Sequence, residues 1–431
     1  MIPAARVSAA FEVLADMFDR KRPASDALKD WGLSHRFAGS KDRAAIGSLV
    51  FDVLRRRASC GYLMHDQSPR ALTLGMLRLV RGMEVDAISD LCSGEGHAPA
   101  ALSAAERDAL TAASLKDAPT WVLGDYPEWA APLLQSAFGE SAAEEGQALA
   151  MRAPVDLRVN RLKGDRAKAL AALSHLGATE TPLSPDGLRI PLGADGRSPV
   201  LSAEPSYAKG LVEIQDEGSQ LASLLCAPQP GQQVLDLCAG GGGKTLALAA
   251  KMDNRGQIYS TDADGRRLMP IFPRLERAGV RNAQVRAPKG TQDILHDLVG
   301  RCDLVVVDAP CTGSGTWRRN PDAKWRTRPN ALEQRILEQK QVLRSAARYV
   351  KAGGALAYIT CSLFREENED RVTEFLSEHP DFLPRDAAHM ARVANMPQLA
   401  DLGSAFGPGI RLSPRRTGTD GFYVAILVRQ G

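Results

Sequence analysis

Two cysteines of this chain stand where chemistry is expected, each directly after an apolar run. Cys311 closes the sequence Asp308-Ala-Pro-Cys, and Cys361 is the middle residue of a Thr-Cys-Ser sequence. In an open α/β sheet, ligands bind beyond the carboxyl ends of the strands, so both thiols and the Asp308 carboxylate are expected in one crevice. Two thiols in one place suit covalent catalysis, one attacking and one assisting release. Their spacing alone does not say which one attacks.

The other cysteines predict no chemistry. The chain has seven cysteines in all, an odd number without a Cys-x-x-Cys pair, which argues against a disulfide framework and a zinc site. Cys92, Cys226 and Cys302 are interpreted as small buried apolar residues. No metal site is predicted.

Four consecutive glycines, residues 240–243, lie between an apolar strand pattern and a helix pattern. Without Cβ atoms the backbone can approach a ligand closely, and the following helix offers free N–H groups. A P-loop would need glycine at Cys238, and a dinucleotide fingerprint would need glycine at Thr245. A nucleotide-like cofactor is predicted instead, with Asp236 and Asp262 at the ends of two strands holding an adenosyl ribose.

A short segment after the Cys311 loop, residues 316–328, carries five basic side chains and two tryptophans, Trp317 and Trp325. Basic and aromatic residues interleaved in this way can hold phosphates while stacking a base. The alternative is a solvated loop whose tryptophans merely pack in the core. Proximity to Cys311 favours a contact with the substrate.

The 431 residues, 44% of them apolar, are enough for two or three domains. Residues 1–147 show helical periodicity, and residues 148–213 alternate strand and helix patterns typical of a small α+β module. Residues 214–431 carry apolar strands separated by helices, which predicts a parallel sheet covered on both faces. Residues 411–421 are interpreted as a long loop before the final strand.

Composition excludes some classes of protein and leaves others open. No segment is apolar over a length that would span a bilayer, and the N-terminus lacks a signal-peptide pattern, so a cytoplasmic location is expected. The net charge of +3 is too small to indicate nucleic acid by itself.

With these motifs, the chain resembles the bacterial RNA cytosine-5 methyltransferases of the Fmu/Sun, RsmB-like family over nearly its full length. The similarity lies in the glycine loop, in the Asp-Ala-Pro-Cys and Thr-Cys-Ser motifs, and in residues 215–220 and 420–425. It implies a Rossmann-like methyltransferase domain with a mostly parallel seven-stranded sheet, preceded by a small α+β module and an N-terminal all-helical NusB-like domain.

The resemblance also implies a reaction, the transfer of a methyl group from S-adenosylmethionine to carbon 5 of a cytidine in RNA, with 16S ribosomal RNA as substrate. By resemblance Cys361 attacks carbon 6, Cys311 assists proton removal or release, Asp308 activates the base and Lys244 orients cofactor and base. The cofactor-binding residues it implies are Cys238, Ala239, Gly240, Gly241, Gly242, Gly243, Lys244, Asp262 and Asp308.

The implied partner is RNA, with no DNA and no membrane, and the chain is expected to act as a monomer. Two alternatives stay open, a tRNA cytosine-5 methyltransferase and a non-catalytic RNA-binding or ribosome-assembly factor that retains the fold.

The chain departs from the family pattern at two places. The cofactor loop of the family usually carries a proline where this chain has Gly241. The acid usually found near the adenine is replaced by Lys289, and Asp293 could take its place only if the loop were rearranged. The sequence therefore predicts weaker cofactor binding or recognition of the adenine edge by a backbone group.

Overall fold

The structure, a computed structural model, describes residues 1–193, 199–290 and 292–431. It divides into two units, one formed by Met1–Arg152 with Trp317–Pro329 and the other by Ala153–Thr316 with Asn330–Gly431. The segment after the Cys311 loop thus belongs to the unit of the N-terminal helices. The domain limits 1–147, 148–213 and 214–431 stay predictions.

The first unit is helical, as the periodicity predicts. Its core consists of apolar side chains at spacings of three and four, such as Val7, Ala10 and Leu14, which places them on one face of a helix. The α-helices are Pro3–Arg20, Ala24–Ser34, Ser40–Arg55, Arg57–Met64, Pro69–Leu79, Val85–Leu91, Ala104–Ala112, Thr120–Leu123, Ala131–Phe138, Ala142–Ala150 and Pro321–Arg326.

The second unit begins with a small antiparallel sheet. Its strands are β1 (Val155–Val159), β2 (Thr179–Glu180), β3 (Gly187–Ile190) and β4 (Val212–Ile214), in the order β2-β3-β1-β4. Between β1 and β2 lies the helix Arg166–Ala172, where Asp165 caps the N-terminus by accepting a hydrogen bond from the Lys168 N–H. The predicted α+β module is therefore confirmed.

A larger sheet follows in the same unit. Its strands are β5 (Gln233–Asp236), β6 (Gln257–Ser260), β7 (Ala283–Val285), β8 (Cys302–Asp308), β9 (Val350–Thr360), β10 (Phe382–Pro384), β11 (Ile410–Leu412) and β12 (Phe422–Arg429). Seven of them form the path β10-β12-β9-β8-β5-β6-β7, and β11 pairs with β12. Strands β5 to β9 pair in parallel, whereas β12 runs antiparallel to β9. The predicted mostly parallel seven-stranded sheet is confirmed.

One element of this sheet contradicts the sequence interpretation. The stretch 411–421 is not one long loop, because β11 ends at Leu412 and a helical turn, Pro414–Thr417, follows it. A three-residue strand is too short to show a hydrophobic period.

The helices of the second unit lie largely between the strands in sequence, as in other α/β sheets. They are Pro205–Ala208, Glu217–Leu225, Gly243–Lys251, Gly265–Leu268, Ile271–Ala278, Pro329–Ala347, Glu369–Glu378, Ala387–Val393 and the turn 414–417, besides the helix between β1 and β2. No helix among the described residues has both the length and the apolar character needed to cross a membrane.

Candidate active site

The two cysteines meet beyond neighbouring strands. Strands β8 and β9 are adjacent and parallel, with Asp308 opposite Ile359, so the loops that follow them leave the same edge of the sheet. The Sγ atoms of Cys311 and Cys361 lie 3.4 Å apart, and both thiols are free and partly buried. The expectation that the strand ends bring the two thiols together is confirmed, while their separate roles stay predictions.

The contact between the thiols affects their protonation. The hydrogen bond to Cys361 raises the pKa of Cys311 well above its ordinary value, and burial adds to this effect. Because ionisation of a second thiol beside the first is disfavoured, the pair holds a proton on Cys311. Only a thiolate is a strong nucleophile, so a Cys311 thiol that keeps its proton is a poor nucleophile.

A buried glutamate that sequence reasoning missed links the two cysteine loops. Glu367 accepts hydrogen bonds from the Thr312 N–H (2.8 Å) and hydroxyl (2.5 Å), and from the Ser362 hydroxyl (2.5 Å). Gln339 Nε2 donates to the same carboxylate at 3.0 Å. Burial raises the pKa of Glu367, although these donors oppose the shift. Its carboxylate therefore fixes the residue that follows each cysteine.

The backbone reinforces this link. The Gly315 N–H donates to the Cys361 carbonyl at 2.9 Å, and the Ser314 and Ser362 hydroxyls lie 3.0 Å apart. A Cβ atom at Gly315 would lie 2.2 Å from the Gly421 carbonyl oxygen, so only glycine allows this close approach. Gly315 is thus explained by its close packing against Gly421, the residue before β12.

Asp308 and Lys244 form an ion pair at the same edge of the sheet. Lys244 Nζ lies 2.6 Å from Asp308 Oδ2 and 5.4 Å from the centre of the Phe422 ring. Burial works against the ammonium charge, but the Asp308 carboxylate outweighs it and raises the pKa of Lys244. The lysine therefore stays charged and holds the carboxylate in one position, with the Asp308 side chain 34% exposed.

The glycine loop has the geometry that a close-bound ligand requires. Gly240 and Gly242 have positive φ angles of 48° and 81°, and a Cβ at Gly242 would meet Ile271 at 2.4 Å. At Gly240 the nearest atom to such a Cβ is 3.5 Å away, on Arg267, which is an ordinary van der Waals contact. The Arg274 guanidinium donates to the Gly241 carbonyl at 2.5 Å and ties the loop down from the other side.

The two acids expected at the ribose have different environments. Asp262 lies beside the loop and accepts the Gly240 N–H at 3.0 Å, with the Arg267 guanidinium 3.3 Å away. Asp236 is completely buried, and its Oδ2 accepts the Thr245 hydroxyl at 2.7 Å while its Oδ1 has no partner. Burial raises the pKa of Asp236 to about 7. The Asp236 carboxylate thus supports the helix start from inside, and its contact with the ribose stays a prediction.

The first two residues of the loop continue strand β5. The Ala239 N–H donates to the Thr261 carbonyl at 2.8 Å, and Ala239 is buried. Cys238 packs partly buried against the core, and burial raises the pKa of its thiol. Both residues can therefore offer a ligand little beyond backbone groups.

In the described part of the stretch expected near the adenine, neither Lys289 nor Asp293 replaces the missing acid. Lys289 is exposed, and the Asp293 carboxylate accepts the N–H of Leu295 at 3.1 Å, two residues further along. Asp293 therefore caps its own turn. Thr291 lies between them, outside the described residues. Within the described residues no cluster of histidine, cysteine and acidic side chains could hold a metal ion.

The tryptophan- and arginine-rich segment does not form the predicted stacking platform. Trp317 is 1% exposed, and Trp325 Nε1 donates to the Leu54 carbonyl at 2.6 Å. Lys324 is buried and donates to the backbone carbonyls of Arg55 and Asp125, and burial lowers its pKa to about 7. The packing alternative is therefore correct for both tryptophans, and Trp325 anchors the segment in the helical unit.

Comparison with protein families matches two parts of the chain. Residues 223–428 match the family described as 16S rRNA methyltransferase RsmB/F. Residues 126–195 match a ferredoxin-like domain described as RsmF/B-like.

Individual relatives extend the similarity to the full length. The probable ribosomal RNA small subunit methyltransferase B of Synechocystis sp. is 29% identical over 97% of this chain and 98% of its own. The ribosomal RNA small subunit methyltransferase B of Citrobacter koseri is 31% identical over 71% of this chain and 67% of its own. The crystal structure of PH0851 covers 99% of both chains with a TM-score of 0.72, and its 24% identity supports the fold alone.

Proposed function

Because this chain belongs to the RsmB/F family of 16S rRNA methyltransferases, which use S-adenosylmethionine, we propose that it methylates carbon 5 of a cytidine in 16S rRNA. The reaction would pass through a covalent bond between Cys361 and the base. The observation that carries this proposal is the 3.4 Å contact between the Cys311 and Cys361 thiols beside Asp308. A single attacking cysteine would not need a second thiol held so near.

The chemistry requires a nucleophile because carbon 5 of cytosine is unreactive by itself. The Cys361 thiolate adds to carbon 6, and the electron pair of the 5,6 double bond moves to carbon 5, which takes up the methyl group. Removal of the carbon 5 proton then restores the double bond and expels the thiolate. Cys311 would act in this last stage: its thiol would give its proton to the departing Cys361 sulfur, and the Cys311 thiolate so formed would take up the carbon 5 proton.

Asp308 and Lys244 would stabilise the charge that develops on the base. Ring nitrogen 3 of cytosine is a hydrogen-bond acceptor, so a proton held between it and the Asp308 carboxyl group would favour movement of electrons from carbon 6 into the ring. The Lys244 ammonium, 2.6 Å away, fixes this carboxylate before the substrate arrives. Such preorganisation lowers the barrier because no rearrangement is needed during the reaction.

The residues of the glycine loop fit S-adenosylmethionine, which supplies an electrophilic methyl group when bound. Asp262 lies against the loop, with Arg267 as its outer partner. The Arg267 side chain is 59% exposed, so ribose hydroxyls can replace it on the carboxylate at little cost. The backbone of Gly240 to Lys244 would border the cofactor, with the N–H groups at the start of the following helix as donors.

The sharpest test is to trap the covalent intermediate between the protein and the RNA. With Cys311→Ala, unmodified 16S rRNA and S-adenosylmethionine, we expect a covalent protein–RNA complex that survives a denaturing gel, because release is impaired. Cys302→Ala, which removes a buried cysteine outside the site, is the matched control and should turn over without trapping.

Adding Cys361→Ala should abolish both the complex and the formation of 5-methylcytosine. The proposed roles would be overturned if Cys311→Ala formed no complex while Cys361→Ala remained active. A wild-type protein that incorporates label into RNA, but not as 5-methylcytosine, would contradict the proposed reaction itself. The cytoplasmic location and the monomeric state stay predictions.

A further inference from the structure

The helical unit contains a cleft of about 350 Å³ that the proposed reaction does not use. It is lined by the end of the helix Pro3–Arg20, the start of the helix that begins at Arg57, and the segment 325–328. Four of the lining side chains are basic, two are aromatic and none is acidic. The volume is within the range of pockets that bind small groups.

Arg57 is central to this cleft. Its guanidinium lies over the Phe18 ring, 4.4 Å from the ring centre, and 5.4 Å from the centre of the Trp325 ring. Burial lowers the pKa of Arg57. Within the described part of the chain its side chain makes no hydrogen bond or ion pair with an acid, so a partly desolvated charge is held in place by two rings.

Two further cations of the cleft, Lys21 and Arg328, also have no acidic partner within the described residues. The neighbouring Arg326 is different, because Asp322 engages its guanidinium at 3.2 Å. Elsewhere in the same unit arginines are commonly paired, as Arg70 is with Glu106 at 2.6 Å. Three unpaired positive charges around one concave surface repel each other, and an anion in the cleft would remove this cost.

The combination of charges and rings indicates the class of anion. A guanidinium can donate two parallel hydrogen bonds to phosphate oxygens, and aromatic rings beside it suit the sugar or base attached to the phosphate. We propose that this cleft binds a phosphodiester of the RNA substrate, with Arg57, Lys21 and Arg328 as its donors. The proposal rests on the proposed function, since it assigns a second contact to the same RNA.

This cleft also gives the tryptophan- and arginine-rich segment a defined part in RNA binding. Trp325 is anchored through its Nε1 and lines the cleft, and Arg328 follows it three residues later. The segment would thus bind RNA from within the helical unit, through a phosphate and not through a stacked target base.

The test is the salt dependence of RNA binding by the full-length protein. The probe is an unmodified 16S rRNA transcript, titrated by filter binding at several salt concentrations with Arg57→Gln and Arg328→Gln. Each lost phosphate contact should lower the slope of log K against log salt by about 0.7 to 0.9. We expect affinity to fall about 3- to 10-fold at constant salt. Arg328 is exposed, so its variant is not expected to disturb folding.

Arg36→Gln is the matched control, since Arg36 is exposed in the same unit and does not line the cleft. It should keep the affinity and slope of the wild type. In the cleft variants, KM for RNA should rise while kcat at saturating RNA stays within about two-fold.

Wild-type slopes in both cleft variants would overturn the inference, and so would a loss of affinity without a change of slope. Neither result depends on methylation. If the wild type bound RNA but made no 5-methylcytosine, the proposed function would fail and the salt slopes would still decide the role of the cleft.

Discussion

The cysteine side and the adenine side of the second unit are built in different ways. Around Cys311 and Cys361, one buried carboxylate, Glu367, accepts four hydrogen bonds, and the loop backbone adds a further tie. On the adenine side Lys289 is exposed, and Asp293 caps only its own turn. The reacting groups are therefore fixed by side chains, whereas the cofactor would rely on the backbone of the glycine loop and on Asp262.

This difference predicts which property of the enzyme a substitution on each side will change. Covalent catalysis depends on atoms placed within a few tenths of an ångström. The rate should therefore depend strongly on the residues that hold the two cysteine loops in position. Cofactor binding sums several contacts, and the loss of one polar contact costs only about 0.5 to 1.5 kcal/mol. Substitutions on the cysteine side should therefore affect kcat, and those on the adenine side should affect cofactor affinity.

The largest effect is expected for Asp308→Asn. The amide cannot accept a proton or carry the charge that pairs with Lys244, so kcat should fall about 10²- to 10³-fold. S-adenosylmethionine affinity, measured by calorimetry, should change only a few-fold. Asp303→Asn is a matched control on the same strand, at its opposite end, and should keep full activity. A variant of Asp308 with more than a tenth of the wild-type kcat would remove Asp308 from the reaction.

Glu367→Gln tests the support of the two loops. Its amide would direct N–H groups at the donors of Thr312, Ser362 and Gln339, which costs about 1 to 3 kcal/mol. We expect kcat to fall about 10- to 100-fold because the thiols shift, with KM for S-adenosylmethionine little changed.

The control is Glu366→Gln, at the adjacent, partly buried glutamate. If both variants lost activity equally, the link between the loops would have no special part in the reaction. If Glu367→Gln raised the KM for the cofactor instead, the division between the two sides would be wrong.

These supports also show what the sequence could predict. The strand ends placed Cys311, Cys361 and Asp308 together because parallel strands end at one edge, a rule that needs no knowledge of packing. Glu367 lies in a short acidic stretch after β9, and its position between both loops follows only from their packing. The burial of Asp236 was missed for the same reason, since a strand pattern does not say how deep a strand end lies.

The segment 317–329 shows a second limit. Its tryptophans and cations predicted an RNA contact near Cys311, but Trp317 and Lys324 are buried in the helical unit. Composition indicates what a segment can bind, whereas the partner it packs against depends on contacts far apart in sequence. The helices, the central strands and the glycine loop were predictable because each has a local pattern.

Asp236→Asn tests how the protonation of the buried Asp236 carboxyl affects the free energy of unfolding. The pKa of Asp236 is about 7 in the folded state, against an ordinary value of 3.8. A raised pKa means that the folded state binds the proton more tightly than the unfolded state. The stabilisation that follows is complete below the ordinary pKa and is lost as the pH rises through 7. The asparagine does not titrate. Between about pH 5.5 and 8 the unfolding free energy of the wild type should therefore fall by up to about 2 kcal/mol relative to that of the variant.

Urea unfolding at these two pH values measures the difference. Asp253→Asn, at an exposed position, should follow the wild type at both pH values. If the unfolding free energies of the wild type and Asp236→Asn changed in parallel, the Asp236 carboxyl would be ionised at both pH values. The Thr245 hydroxyl would then donate to a charged carboxylate and not to a neutral acid.

The smallest effect is expected for Lys289→Asp, which restores an acid on the adenine side. One new hydrogen bond to the adenine edge should tighten S-adenosylmethionine binding about 2- to 5-fold in calorimetry, with kcat unchanged. Because the cofactor carries a positive sulfonium, any added negative charge could attract it, so Arg281→Asp, exposed in the same unit, makes the same change of charge as control. Equal gains in S-adenosylmethionine affinity for both variants would indicate a general electrostatic attraction and not a hydrogen bond to the adenine. No gain in Lys289→Asp would mean that the adenine is recognised by backbone groups, in which case the missing acid costs this chain nothing and the adenine side is complete as it stands.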